Sequence, residues 1–291
     1  MSKKTLALLA IWVTTLIWGF GYLGVEDAIQ GGWGTFPLIF ARFGIASICL
    51  IPFSIKQKWW KNWPLMKDSF INAIFLFMAY VTQTIGQSQT SIANTSFLTV
   101  MWVVFIPIIL LILTKKRLKI KNYVGVGLAL VGAFILCFGK DFSAFQINVG
   151  DIYVVFTAIF FALQIVHLDY VVKKHDVIAV TTVQIMSVSL LALVVILLTR
   201  DFSSFGSGGY FGLLYAAILS SALTFCLQAF GQKYISPTKA ALIFSLESVI
   251  ATIAAAIFYE EVITWNVIVG GLLMLAATII VQIKFRKTTE K

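Results

Sequence analysis

The sequence predicts an all-α, polytopic membrane protein: ten transmembrane helices in two five-helix repeats of opposite orientation. Three observations carry that expectation. The 291-residue chain is 60% hydrophobic and 12% charged, about half the charge density of an ordinary soluble domain. Its lysines and arginines fall in alternate loops. Short polar signatures of the first half return in the second at a constant spacing.

A bilayer span needs roughly 20 mostly apolar residues. Such runs lie at about 5–25, 34–54, 68–87, 92–114, 121–139, 150–171, 177–198, 208–230, 237–259 and 262–284. They use nearly the whole length and leave no room for a soluble catalytic domain. Lys3 and Lys4 before the first run suggest a signal peptide. That run is too long, carries Trp12 and Trp18 and lacks a small-residue cleavage site, so it reads as an uncleaved helix. Short connections predict that sequence neighbours pack as antiparallel hairpins. Spans 5 and 10 are apolar all round with glycines. They read as scaffold or lipid-facing helices, and their glycines make them a candidate homodimer seam. Between spans 2 and 3, Trp59, Trp60 and Trp63 alternate with Lys56, Lys58 and Lys61, a pattern suited to anchoring on anionic lipid.

The net charge is +10. On a soluble protein it would suggest nucleic acid; in short loops between apolar runs it encodes topology, and no nucleic-acid partner is expected. One side of the membrane receives Lys3, Lys4, Lys56, Lys58, Lys61, Lys67, Lys115, Lys116, Arg117, Lys119 and Lys121. It also receives Lys173, Lys174, Lys233, Lys239, Lys284, Arg286, Lys287 and Lys291. Only Lys140 and Arg200 fall in the opposite loops, and Arg42 lies within a span. This bias predicts cytoplasmic N- and C-termini in the cell (inner) membrane.

Gln83-x-x-Gly86-Gln87 recurs as Gln228-x-x-Gly231-Gln232, and Ser91 as Ser236, all 145 residues apart. With one residue of slip, Asn122 and Gly127 match Asn266 and Gly271. The repeats are thus 1–145 and 146–291. Five spans per repeat, an odd number, force opposite orientations. Inverted repeats are a transporter architecture with the solute site near the midplane.

Cys49, Cys137 and Cys226 lie in apolar runs without C-x-x-C spacing, so no disulfide or metal site is expected. Phosphate-binding loops, H-E-x-x-H and G-x-S-x-G are absent. No cofactor and no enzymatic activity are expected.

Polar residues at membrane depth carry the functional reading, because an ionisable group at a span centre costs roughly 2.5–3.5 kcal/mol on insertion scales. Glu247 lies ten residues into span 9, roughly 15 Å along its axis. It is a candidate for binding a proton or a substrate cation; the alternative is a hydrogen-bonded structural carboxylate. Arg42 can meet a substrate carboxylate or Glu247, or can pack and bond helix ends. Gln83 and Gln228 sit at matched depths with donors and acceptors, as path linings or as interhelical bonds. Trp18, Tyr22, Tyr80 and Trp102 can wall an apolar pocket with a few polar groups, or simply pack. Trp102 matches Glu247 at the 145-residue offset. Gln164, His167 and Asp169 cluster on span 6; near Lys173 and Lys174, the latter two suit interfacial pairing, with a gate or proton relay as the alternative.

Several segments resemble the drug/metabolite transporter superfamily, in particular its EamA-like ten-helix group. "LIWGFGYLGVEDAI" is similar to the first-helix pattern and "FARFGIAS" to the second-helix Arg-Phe pattern around Arg42. "QTIGQSQTSIANTSFLTVMWVVFIPI" resembles the helix 3–4 region. "GQKYISPTKAALIFSLESVIATIAAAIFYEEVITWNVIVGG" resembles the helix 9–10 region. The resemblance covers nearly the whole chain. It implies a secondary transporter, often an exporter of amino acids or other small metabolites, with a cavity lined by helices 1, 3, 4, 6, 8 and 9. After Leu246-Glu247 the family usually has proline, where this chain has Ser248; helix 9 is therefore expected without a proline kink. The helix 4 proline is present as Pro107.

The expected activity is alternating-access transport of a small neutral, zwitterionic, aromatic or cationic solute, amino acids or amines among them. Partners are that solute and membrane lipid. The alternative is a membrane interaction or sensor protein that transports nothing.

Overall fold

The computed structural model describes residues 1–90, 92–115, 119–138, 149–202, 204–258 and 265–282. Ser91, Lys116, Arg117, Lys140, Lys284, Arg286, Lys287 and Lys291 lie outside the described residues, as does the side chain of Cys137.

The described residues are helical, with no strand among them. Helix α1 (Lys3–Gln30) starts where the Ser2 hydroxyl accepts the Thr5 amide. Helix α2 (Thr35–Ser54) is followed by two 3₁₀ turns at Ile55–Gln57 and Trp59–Lys61. Helix α3 (Trp63–Gln87) begins five residues before the apolar run. Asn62 caps it by accepting the Leu65 amide, and Pro64 occupies its first turn. Span 4 is two helices, α4 (Ile92–Val100) and α5 (Trp102–Thr114), broken at Met101. Then follow α6 (Ile120–Phe138), α7 (Val149–Val171) and α8 (Val177–Thr199), the last capped by Asp176. Span 8 comprises α9 (Tyr210–Leu214), a π-helical stretch (Tyr215–Leu223) and α10 (Thr224–Tyr234). Span 9 is also broken, into α11 (Pro237–Phe244) and α12 (Glu247–Phe258). Helix α13 (Trp265–Gln282) follows.

Eight helical stretches among the described residues are long and apolar enough to cross a membrane, and two shorter apolar helices lie at Ile120–Ile135 and Ile268–Ala277. The chain is a multi-pass membrane protein.

Two expectations are corrected. Helix 9 lacks the proline yet is interrupted at Ser245 and Leu246. Hydroxyls contribute there: Ser245 Oγ donates to Leu242 O at 2.9 Å, and Ser248 Oγ to Ser245 O at 3.0 Å. Side-chain bonds back to the preceding turn bend helices without proline. Sequence neighbours also pack weakly. The closest partners are α6 with α13, α3 with α7, α2 with α8, and α1 with α10 and α12. Short loops fix only where helix ends meet. Faces are decided by small residues and buried polar bonds, which here join the first half to the second. A Cβ on Gly132 of α6 would lie 2.6 Å from the Gly270 carbonyl of α13, and one on Gly24 would lie 3.0 Å from the Gly212 carbonyl. The Gly132 contact proposed as a seam between copies is therefore used within one chain. A Cβ on Gly127 would meet nothing within 4 Å among the described residues.

The loops after α2 and α7 meet at one end, where Trp59 and Val177 pack against a buried cluster that includes Leu65 and Val171. Exposed Trp60 and Trp63 lie beside it. This lysine-rich end is opposite the end where Trp33 Nε1 donates to Gly208 O at 2.9 Å.

Candidate functional site

An aromatic cluster fills the centre of the bundle. Tyr80 packs edge-on against Phe43 and Phe161 (4.9 and 5.4 Å between centroids), and Phe161 against Trp102 at 5.5 Å. Where these rings stop short of one another they leave a narrow cavity of about 40 Å³. It has room for water-sized groups and is smaller than an open small-molecule site of roughly 300–1,000 Å³. Trp18, Gly21, Tyr22 and Val25 of α1 form one wall, and Tyr80, Gln83 and Gln87 of α3 another. Arg42, Trp102, Phe161, Ser220 and Glu247 complete it.

The helix break explains how Glu247 reaches this space. It is the first residue of α12, immediately after the interruption, and is 2% exposed. Its Oε1 accepts the Tyr22 hydroxyl at 2.8 Å. Its second oxygen takes no hydrogen bond from the described residues. Tyr22 is itself held through its backbone, since Gln87 Nε2 donates to Tyr22 O at 3.0 Å.

Arg42 is fixed from two sides. Its Nε donates to Ser221 Oγ at 2.7 Å, and its Nη2 approaches Tyr80 OH at 3.3 Å and Ser220 Oγ at 3.2 Å. Its guanidinium carbon stands 4.5 Å from the Tyr80 ring centre, a cation–π contact. The π-helical stretch sets Ser220 and Ser221 beside each other on this face; such bulges often occur at functional sites. Arg42 and Glu247 both line the cavity, yet no ion pair joins them among the described residues.

The remaining sequence-predicted residues divide. Trp18 Nε1 donates to Thr224 Oγ1 at 2.9 Å, and its ring packs on Phe225 and Phe244, so it forms the cavity floor towards the lysine-rich end. Gln83 Nε2 reaches Thr99 Oγ1 at 3.3 Å. Trp102 Nε1 is buried without a hydrogen-bond partner. Gln164 and Gln228 are not in the lining. They bond to each other at 3.3 Å in a packed layer beyond the floor. His167 and Asp169 separate: His167 Nδ1 meets Asn72 Oδ1 at 3.1 Å, whereas Asp169 pairs with Lys173 at 2.5 Å. Neither lines the cavity, and no group able to hold a metal ion occurs among the described residues.

Sequence reasoning passed over Gln87, Ser220, Ser221 and Phe161. The 145-residue offset already paired Gln87 with Gln232, a signal available for that residue. Small serines in an apolar run carry no comparable mark.

The lining combines apolar rings with a guanidinium and a carboxylate, chemistry complementary to a compact group with an apolar body and charged ends. Arg42 and Glu247 line the same aromatic space, and the carboxylate keeps one oxygen unengaged among the described residues.

Comparison with known proteins shows the family. An uncharacterized transporter of Archaeoglobus fulgidus is 29% identical over 282 residues, covering 97% of this chain and 87% of that protein. A second uncharacterized transporter of the same organism is 21% identical, over 93% of this chain and 98% of its own. A crystal structure matches with a TM-score of 0.77 at 14% identity, covering 95% of this chain and 96% of that one, a likeness of fold alone. A model of the EamA-like transporter family matches residues 5–138 and again residues 148–283. The chain belongs to the EamA-like transporter family.

Proposed function

We propose that this protein is a secondary transporter of small organic solutes bearing an ammonium group, amines and amino acids foremost. It works as an exporter or exchanger by alternating access. One observation carries the reading: Arg42 and Glu247 face the same aromatic cavity without pairing with each other. A buried charge without a counter-charge is costly, so a ligand that brings the missing charge is stabilised there. Glu247 takes the ammonium or a coupling proton. Arg42 takes a carboxylate where the solute has one. Trp18, Tyr22, Tyr80, Gln83 and Trp102 surround the solute body.

The reading includes ten spans in two inverted halves, 1–145 and 146–291, with both termini cytoplasmic in the cell membrane. The helix pairing supports it. Exchange of the halves maps the α6–α13 and α2–α8 pairs onto themselves, α3–α7 onto α1–α10, and α4–α12 onto α5–α11. The breaks at Met101 and Leu246 are also 145 residues apart. Rocking of one half against the other then exposes the site to alternate sides.

The test is reconstitution in liposomes with amino acids and amines, with and without a proton gradient. Flux of at least one such solute is expected, with Glu247→Gln lowering it by tenfold or more, or abolishing its pH dependence. Absence of flux for every solute rejects the reading and favours a sensor that transports nothing.

A further inference from the structure

Beyond the cavity floor, towards the lysine-rich end, the bundle is packed but polar. Gln228 Nε2 donates to Gln164 Oε1 at 3.3 Å, and Gln232 Nε2 to Ile165 O at 2.7 Å. All three glutamines are buried. Each keeps one polar atom without a partner among the described residues: Gln164 Nε2, Gln228 Oε1 and Gln232 Oε1. Buried side-chain polar atoms are nearly always bonded, and three orphans in one layer are a poor way to cement a permanent interface.

The sequence supplies the complementary observation. Gln228 and Gln232 are the 145-residue counterparts of Gln83 and Gln87, which line the cavity. Phe225, part of the floor, is likewise the counterpart of Tyr80, part of the wall. Equivalent side chains thus hold different places: the border of the cavity in one half, a packed layer in the other.

We propose that Gln164, Gln228 and Gln232 are the lysine-rich half of the solute path, shut in this conformation, and that they become cavity lining when the two halves exchange roles. The proposal rests on the transport reading and extends it to a second set of solute-contacting residues. Carboxamides suit the task. They donate and accept, so they follow either charged end of a zwitterion without holding a fixed charge that traps it. The orphan atoms gain partners, water or solute, only when the layer opens.

The test needs no knowledge of the solute. Cys49, Cys137 and Cys226 are replaced by alanine, and cysteine is introduced as Gln83→Cys, Gln228→Cys or Gln232→Cys. Sealed vesicles of defined orientation are treated from each side with a charged, membrane-impermeant methanethiosulfonate. Gln83→Cys is expected to react from the lysine-poor side. Gln228→Cys and Gln232→Cys are expected to react from the lysine-rich side only, at least tenfold more slowly than an exposed loop cysteine because the open state must form first. The double variant Gln83→Cys/Gln228→Cys keeps the test decisive, because reaction at position 83 reports an intact fold. If position 83 reacts while positions 228 and 232 remain inert from both sides, the layer is permanent packing and the proposal falls. Reaction of position 228 from the lysine-poor side also overturns it. Inert glutamine positions beside measurable solute flux would reject this path while leaving the transport reading standing.

Discussion

Tyr22 and Glu247 come from opposite halves of the chain, and their 2.8 Å hydrogen bond aims the carboxylate into the cavity. Tyr22→Phe keeps the ring and removes the donor. Under the transport reading, apparent solute affinity in liposomes is expected to fall about tenfold, corresponding to ~1.4 kcal/mol, with little change in protein yield. Arg42 depends on shape as much as charge: it donates from Nε and Nη2 and stacks on Tyr80. Lysine reproduces neither the fork nor the stacking. Arg42→Lys is expected to cost about 1–3 kcal/mol of stability, read as a lower melting temperature in detergent. Both ionisable residues stood out in the sequence because charge at membrane depth is rare. Of their partners, Tyr22 and Tyr80 were candidates for the pocket wall, whereas Ser220 and Ser221 were unmarked: small serines in an apolar run read as packing until the fold shows what they touch.

At the scale of elements, the broken helices matter most. The interruption at Ser245 and Leu246 makes Glu247 the start of a helix rather than its middle. The Ser248 amide makes only a 3.4 Å bond to Ser245 O, so little is lost if proline stands there. Ser248→Pro is expected to cost less than about 1 kcal/mol, whereas Ala251→Pro, inside α12, costs about 3 kcal/mol or more. Thermal unfolding in one detergent compares the two directly. Close glycine contacts give a second prediction. Gly132→Val places side-chain atoms against the Gly270 carbonyl, and overpacking of this kind costs typically 1–3 kcal/mol. The same substitution at Gly127, whose Cβ direction is open within 4 Å, is expected to be nearly neutral. Glycines in an apolar helix signalled close approach, but not to which neighbour; intramolecular pairing with α13 answered that.

For the whole molecule, the lysine distribution leads to a topological prediction. A reporter active only outside the cytoplasm is expected to be silent when fused after Lys291 and active when inserted after Arg200. The opposite pattern would reverse the orientation without altering the helix packing. Helix pairs run between halves rather than along the chain, so neither half is expected to be stable alone. Separate expression of residues 1–145 should give protein that is degraded or aggregates, and co-expression with residues 146–291 should restore it. In membranes there is little hydrophobic drive between helices; the buried polar bonds and glycine contacts that hold this bundle lie mostly across the halves, from Trp18–Thr224 to Asn72–Gln184.

The sequence by itself determined the class of the molecule, because a bilayer imposes length and apolarity on every crossing segment and leaves loop charge as the record of sidedness. It also marked Glu247, Arg42 and the two glutamine pairs through their cost at depth and their 145-residue spacing. Tertiary structure alone decided which of these share a space. Gln83 faces the cavity, while Gln228, its counterpart, lies in a closed layer with Gln164. The physical reason is that equal side chains in the two halves meet different neighbours, and only the packing shows which of them border the cavity.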